Sequence, residues 1–255
     1  MNITAAQVVS LRERTGVSMM SCKRALEEAN GDEEKAIDIL RKKGESKAAE
    51  KSARTMKEGI IITKVKGNKA VIVTQTCETD FVSGNEEFQA IAKETVETAL
   101  KDGMDKAKDE ADKKIKDLFT RLGENMSIEV DILEGKGLAE YVHNNGKVGA
   151  IVDLATPDAE KARDIAMHIT AMKPAVINPQ DMPEDVVIKE REIWREQLKN
   201  EGKPENMLDK IMAGKEKKFR EEQSLIKQSF IKDQEKTVEE YLSGNIVNKF
   251  IRKAI

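Results

Sequence analysis

Hydrophobic positions recur with two different periods along this chain, and the switches between them mark its organisation. In residues 4–43 apolar side chains follow helical spacing in three short runs. The first holds Val8, Val9 and Leu11, the second Met19, Cys22, Leu26 and Ala29, and the third Ala36, Ile37 and Leu40. Thr4, Ser18 and Asp32 stand where N-caps belong, and Gly16, Asn30–Gly31 and Gly44 where helices stop. Three helices in about forty residues predict a small bundle with a thin core, near the size limit for folding alone. The charged, Ala-rich stretch from Lys43 to Arg54 then reads as a partly helical, exposed linker.

From residue 57 the period changes to two. Gly59–Val65 and Lys69–Thr74, joined by Lys66, Gly67 and Asn68, predict a β-hairpin. Helices follow near 86–101 and 105–122; the second carries eight charged residues between Lys106 and Lys116 and must keep one face in water. Met126–Leu133 alternates apolar and polar, as a half-buried strand does. Leu138–His143 and Lys147–Val152 predict a second hairpin about Asn144, Asn145 and Gly146, with a helix near 159–172 behind it. Hairpin, loop and helix have now occurred twice. Aligning Lys69 with Lys147 places Ile91 and Ala92 against Ile165 and Ala166, which suggests a duplicated α+β unit. The first copy is four residues longer, and the surplus falls in the loop holding Thr79, Asp80, Phe81 and Val82. A Phe at the tip of a polar, Gly-containing connection either folds back into its own core or is offered to a partner.

Residues 184–228 lose the β signal. Val187 and Trp194 lie seven apart, as do Met212, Phe219 and Ile226, with Gly202, Lys203 and Pro204 between the two sets. That spacing predicts an antiparallel helical hairpin with a coiled-coil-like seam. Such an arm serves docking or dimerisation, or simply packs on the body. Thr237–Leu242 and Ile246–Arg252 read as a short helix and a final strand returning to the second unit. The expected division is 1–56, 57–135, 136–183 with 229–255, and an inserted arm at 184–228.

Composition narrows the function. Hydrophobic residues make up 39% and charged residues 36%, with only nine aromatics, so the cores must be aliphatic. A net charge of −3 argues against a dedicated nucleic-acid binder, although Arg41–Lys57 is locally basic. Cys22 and Cys77 form no CxxC pair, which points to reduced thiols and a cytoplasmic setting. The N-terminus lacks the basic start and apolar run of a signal peptide, and no apolar run reaches the ~20 residues of a membrane span. Phosphate-binding glycine loops are absent. His143 and His168, the only histidines, stand in no metal-ligand spacing. His143 at a hairpin end is either a polar surface residue or a partner contact, while His168 on its helix is expected to be half-buried. Cys77 precedes Glu78, which raises rather than lowers a thiol pKa. Neither a catalytic residue, a metal site nor a cofactor is expected.

Thr79-Asp80-Phe81-Val82 resembles the signature of the elongation factor Ts family. Further stretches carry the likeness. Thr15–Leu26, with Thr15-Gly16, Met19-Met20, Cys22-Lys23 and Ala25-Leu26 before Asn30-Gly31-Asp32, is similar to that family's ubiquitin-associated-like N-terminal module. Asp164–His168 with Lys173 and Pro174, then Gly202–Pro204 and Lys217–Phe219, are similar to its second core unit and its helical hairpin. The likeness spans residues 4 to about 252. Ser18 and Ser21 depart from the Gly and Asp common there, and the chain ends at Ile255. If the sequence is complete, a C-terminal contact of longer relatives is missing.

The resemblance implies an exchange factor that needs no catalytic residue. It would bind elongation factor Tu·GDP and promote GDP release, with Asp80 and Phe81 disturbing the Mg²⁺ and phosphate site of that GTPase. Thr79, Asp80, Phe81 and Val82 would form the main contact. Met19 and Met20 would add an adaptable apolar one, or pack inside their own bundle. His143 would approach another domain of the GTPase, and the helical hairpin would offer a homodimer contact. No membrane and no direct nucleic acid is implied. The competing reading is a ribosome- or RNA-associated helical adaptor that uses the basic 41–57 segment, which a salt titration separates.

Overall fold

A computed structural model describes residues 3–15, 19–37, 39–40, 56–201 and 205–255. The chain divides into two compact units, Met1–Thr55 and Met56–Ile255.

In the first unit α1 (Ala5–Thr15) and α2 (Met19–Glu28) precede a helical segment at 33–37. Thr4 opens α1: its hydroxyl accepts from the Gln7 amide, and Gln7 Oε1 accepts from the Thr4 amide. Asp32 caps the 33–37 segment through the Lys35 amide at 3.1 Å. Val8, Leu11, Cys22, Ala25, Leu26, Ala29 and Ala36 form the core. No aromatic contributes to it, so the bundle rests on a few aliphatic contacts, as its short apolar runs predict. The expected Gly16 stop, Ser18 cap and 43–54 linker lie outside the described residues.

The second unit is mixed α and β, in line with the α+β expectation. β1 (Glu58–Lys66), β2 (Lys69–Cys77) and β3 (Met126–Glu134) form one antiparallel sheet with β2 in the middle. β4 (Gly137–Val142), β5 (Val148–Leu154) and β8 (Val247–Ala254) form another, with β5 in the middle. The registers agree as well as the order. Gly59 pairs Thr76 and Gly137 pairs Leu154, so both partners move by the same offset that carries Lys69 onto Lys147.

Each middle strand is buried on both sides, which is why Ala70, Val71, Ile72 and Val73 run apolar without alternation. Val71 and Val73 face α4 (Glu86–Asp102) and α5 (Met104–Leu122), meeting Phe88, Ile91, Val96, Ile115 and Leu118. Ala70 and Ile72 face the other sheet and meet Ile151. On the far side of that sheet, Ala150, Val152 and Leu154 pack on Ile165 and Ile169 of α6 (Ala159–Met172). The result is four layers: helices, sheet, sheet, helix. The second hairpin's turn also reaches β1, where the Ile61 amide donates to the Gly146 carbonyl at 2.7 Å and Lys147 pairs with Glu58 at 2.6 Å.

The arm consists of α7 (Glu184–Asn200) and α8 (Glu205–Gln223). Val187 is fully buried, and Trp194 meets Phe219 edge-on at 5.5 Å, so those seam positions face inward. Arg191 and Arg220 each bind both Glu184 and Glu216, and these four charges clamp the arm at its base. Of the stretch 184–228 assigned to the arm, residues 224–228 are built into the body instead. The Leu225 amide donates to the Val176 carbonyl at 2.9 Å, and the Leu225 side chain joins the α6 core. Ile226 therefore lies past the end of α8, in the short turn Leu225–Lys227, and does not continue the seam. The expected turn at Gly202, Lys203 and Pro204 is outside the described residues. β6 (Ser229–Phe230), β7 (Asp233–Thr237) and α9 (Val238–Leu242) close the α6 core with Phe230, Val238 and Leu242.

Candidate functional site

The residues between β2 and α4 form a single helical turn, α3 (Asp80–Ser83), rather than an open loop. Successive residues on a helix turn by about 100°, so neighbours in this turn must face apart. Val82 points inward, 6% exposed, and joins the core with Val71, Val73 and Phe88. Phe81 points outward and is 87% exposed, the most exposed large hydrophobic residue described. Asp80 beside it is also exposed, and Thr79 is half-buried. Of the two fates open to Phe81, folding back into the core is excluded.

Both flanks of the turn are braced. Upstream, the Thr79 hydroxyl donates to Glu124 Oε1 at 2.8 Å and the Thr79 amide to Oε2 at 3.2 Å. Within the turn, the Ser83 amide donates to the Thr79 carbonyl at 3.2 Å and the Gly84 amide to the Asp80 carbonyl at 2.9 Å. Downstream, Asn85 Oδ1 caps α4 by accepting from Glu87 and Phe88, while Gln89 Nε2 donates to the Ser83 carbonyl at 3.2 Å. Nothing in the sequence near Thr79 signals Glu124. It follows α5, and only the pairing of β2 with β3 brings it opposite.

Cys77 lies beneath the turn with its thiol on the Thr79 carbonyl at 3.2 Å. Burial pushes that thiol up to about 12, and the Glu124 carboxylate adds to the effect. It stays protonated and inert near neutral pH. Among the described residues, no group of three or more His, Cys, Asp or Glu is placed to hold a metal ion. A groove of about 720 Å³ runs along β1 and β4 past Thr63, Glu140, Tyr141 and Arg163, and includes none of residues 79–82. Burial raises the Glu140 carboxyl there, against Thr63 and Lys64. No Cys, Ser, Lys or His lines it.

The other residues singled out from sequence lie elsewhere. Met19 and Met20, at the start of α2, are 39% and 61% exposed, so neither is packed inside its bundle. His143 is exposed where β4 turns towards β5.

His168 departs from expectation, being fully buried rather than half-buried. Its Nδ1 accepts from the Ile231 amide at 3.2 Å, so Nε2 carries the proton and donates to Gln228 Oε1 at 3.0 Å. Both partners come from beyond the arm, where no local pattern reveals them. Burial lowers the His168 pKa, with the Gln228 contact opposing. A depressed histidine pKa means the unfolded chain takes the proton first. The stability it supports is therefore complete above about pH 6.5 and declines as pH falls below it. Melting temperature should drop from pH 7.5 to pH 5, and more steeply than in His168→Gln. Parallel slopes in calorimetry would exclude His168 as the cause.

Comparison with known proteins settles the lineage. The family profile described as Elongation factor TS matches residues 78–255, which begins at the braced segment itself. The elongation factor Ts of Hydrogenobaculum sp. is 39% identical over 97% of this chain and 96% of its own length. That of Tolumonas auensis is 41% identical over 98% and 90%, and that of Deinococcus deserti 39% over 96% and 97%. The chain belongs to the elongation factor Ts family. Membership implies a role in translation elongation within protein biosynthesis. It also places an exposed Phe on a braced turn in a family of exchange factors rather than enzymes. No helix among the described residues is long and apolar enough to cross a membrane.

Proposed function

We propose that this protein is a guanine-nucleotide exchange factor that binds elongation factor Tu·GDP in the cytoplasm and promotes GDP release. The observation that carries the reading is Phe81, 87% exposed on a turn hydrogen-bonded at both ends. Leaving a large aromatic in water is unfavourable unless a partner covers it, and burying a Phe yields about 1.5–3 kcal/mol. In the complex Phe81 fills an apolar pocket of the GTPase. Asp80 perturbs the groups that support its Mg²⁺, and Thr79 and Val82 hold the turn in place. With the ion displaced, the GDP phosphates are poorly neutralised. Reciprocity then requires that the factor weaken GDP by the same ratio that GDP weakens the factor.

The exposure of Met19, Met20 and His143 supports second contacts from the N-terminal unit and the β4–β5 turn. Matching strand orders and registers support reading 57–135 and 136–183 with 229–255 as two copies of one unit. The arm carries exposed Val186 and Ile193 seven apart on α7, which supports its reading as a dimerisation surface.

The test is release of a fluorescent GDP analogue from elongation factor Tu encoded by the same genome. Adding the chain should accelerate release by at least about tenfold, equivalent to ~1.4 kcal/mol, and excess unlabelled GDP with Mg²⁺ should dissociate the complex. An unchanged release rate, with salt-sensitive RNA binding instead, would replace this reading with the adaptor.

A further inference from the structure

Resting on the exchange-factor reading above, we propose that Glu124 is a positioning residue: it presets the Asp80–Phe81 turn before the partner arrives. The hydrogen-bonded pairing of β2 with β3 ends at Cys77 opposite Met126. Continuing that register places Glu78 opposite Asn125 and Thr79 opposite Glu124. At both steps a carboxylate on one strand accepts from a backbone amide on the other. The Asn125 amide donates to Glu78 Oε1 at 2.9 Å, and the Thr79 amide donates to Glu124 Oε2 at 3.2 Å. The two carboxylates extend the ladder to the last residue before Asp80.

Glu124 does more than close the ladder. Thr79 occupies the N-cap position of α3, where a hydroxyl normally accepts from an amide of the first turn. Here it makes no such bond and donates to both oxygens of Glu124, at 2.8 and 3.0 Å. Thr79 is thereby held extended, at φ −127° and ψ 159°, up to the point where the turn begins. Hydrogen bonds to a carboxylate are stronger than neutral ones, so this brace outweighs the cap it replaces. Glu124 is itself fixed from behind. Gly123 ends α5 in the left-handed conformation, φ 73°, with its amide on the Phe119 carbonyl at 2.7 Å. The end of α5 therefore dictates the direction in which Phe81 leaves the body.

A preset turn avoids an ordering cost on binding. Losing the brace leaves Phe81 chemically intact but makes only a fraction of molecules competent, which raises the apparent dissociation constant by the reciprocal of that fraction. Glu124→Ala should therefore raise the half-saturating factor concentration for GDP-analogue release by about tenfold, leaving the saturated rate within about twofold. Glu124→Gln, which keeps one acceptor oxygen, should fall between Glu124→Ala and the native chain. If Glu124→Ala does not fold, this variant carries the test. Thr79→Val, which removes the hydroxyl bonds but leaves the amide bond to Glu124, should shift half-saturation in the same direction by less, and the double variant should be no worse than Glu124→Ala alone, because both act through one brace. Losses that multiply in the double variant, or an unchanged half-saturation, would overturn the assignment.

Hydrogen exchange in the factor alone separates this proposal from the functional reading. The Ser83 and Gly84 amides, bonded to the Thr79 and Asp80 carbonyls, should exchange faster in Glu124→Ala than in the native chain. If the native chain fails to release GDP, the exchange-factor reading falls while these amides still report on Glu124. If they are unchanged, Glu124 does not set the turn.

Discussion

Phe81→Ala is expected to lower the efficiency of stimulated GDP release by roughly 30- to 150-fold, the equivalent of losing about 2–3 kcal/mol of burial in the complex. The same variant should melt within about two degrees of the native chain, because a side chain 87% exposed contributes little to folding. Val82→Ala is the internal contrast. Its side chain sits in the core beside Phe88, so it should lower the melting temperature as well. Asp80→Ala should act on the same step as Phe81→Ala, with an effect that shrinks when Mg²⁺ is chelated. Stopped-flow release beside thermal melts of each variant decides the matter. A Phe81→Ala protein that melts several degrees lower while exchanging normally would show that Phe81 serves the core and not a pocket of the GTPase.

The second large effect is on stability. Gly59→Ala is expected to cost about 2–5 kcal/mol, from overpacking and backbone strain together. Gly59 has φ +151°, and a Cβ there would lie 2.1 Å from the Gln75 carbonyl oxygen, a backbone atom that cannot move without breaking the β1–β2 pairing. Gly137 is its counterpart in the second sheet, with a Cβ 2.2 Å from the Leu154 carbonyl oxygen. Gly67→Ala provides the comparison. It has φ +61° in the hairpin turn but open space around it, so it bears strain alone, about 1 kcal/mol. Urea unfolding should rank Gly59→Ala well below Gly67→Ala. Equal midpoints for the two would show that β1 can lift off β2 at little cost, contrary to the close approach of Gly59 to the Gln75 carbonyl.

Much of this architecture was legible because burial leaves a period in the sequence. Ala70–Val73 has no alternation since both faces of β2 are covered, and Met126–Leu133 alternates because Ile128 and Val130 pack on the helices while Glu129 and Asp131, on the opposite face, meet Lys253. The loop surplus around Thr79 was visible from the two hairpins, but the direction of Phe81 was not. That direction depends on Val82 anchoring one turn of helix and on Glu124 arriving from the end of α5. His168 was misjudged for the same reason, since Gln228 and Ile231 are distant in sequence. Ile226 kept the seven-residue spacing of the arm although the chain had already left the helix. Periodicity records which side chains avoid water, not the element that shelters them.

The clamp of Arg191 and Arg220 on Glu184 and Glu216 bears on how the second sheet can close at all. β5 must wait for β8, and Leu154 finds Val247 only after the whole arm has been made. For a flexible connection, each doubling of its length adds about 0.6 kcal/mol to closure. An arm pinned at its own base is not flexible chain. Arg220 also donates to the Met182 carbonyl, and the Ala175 amide to the Gln223 carbonyl at 2.9 Å, so entry and exit already lie side by side. To the sheet the arm counts as a short crossing rather than a long loop. Arms of very different length can therefore be grown or lost at this position without the core becoming harder to assemble.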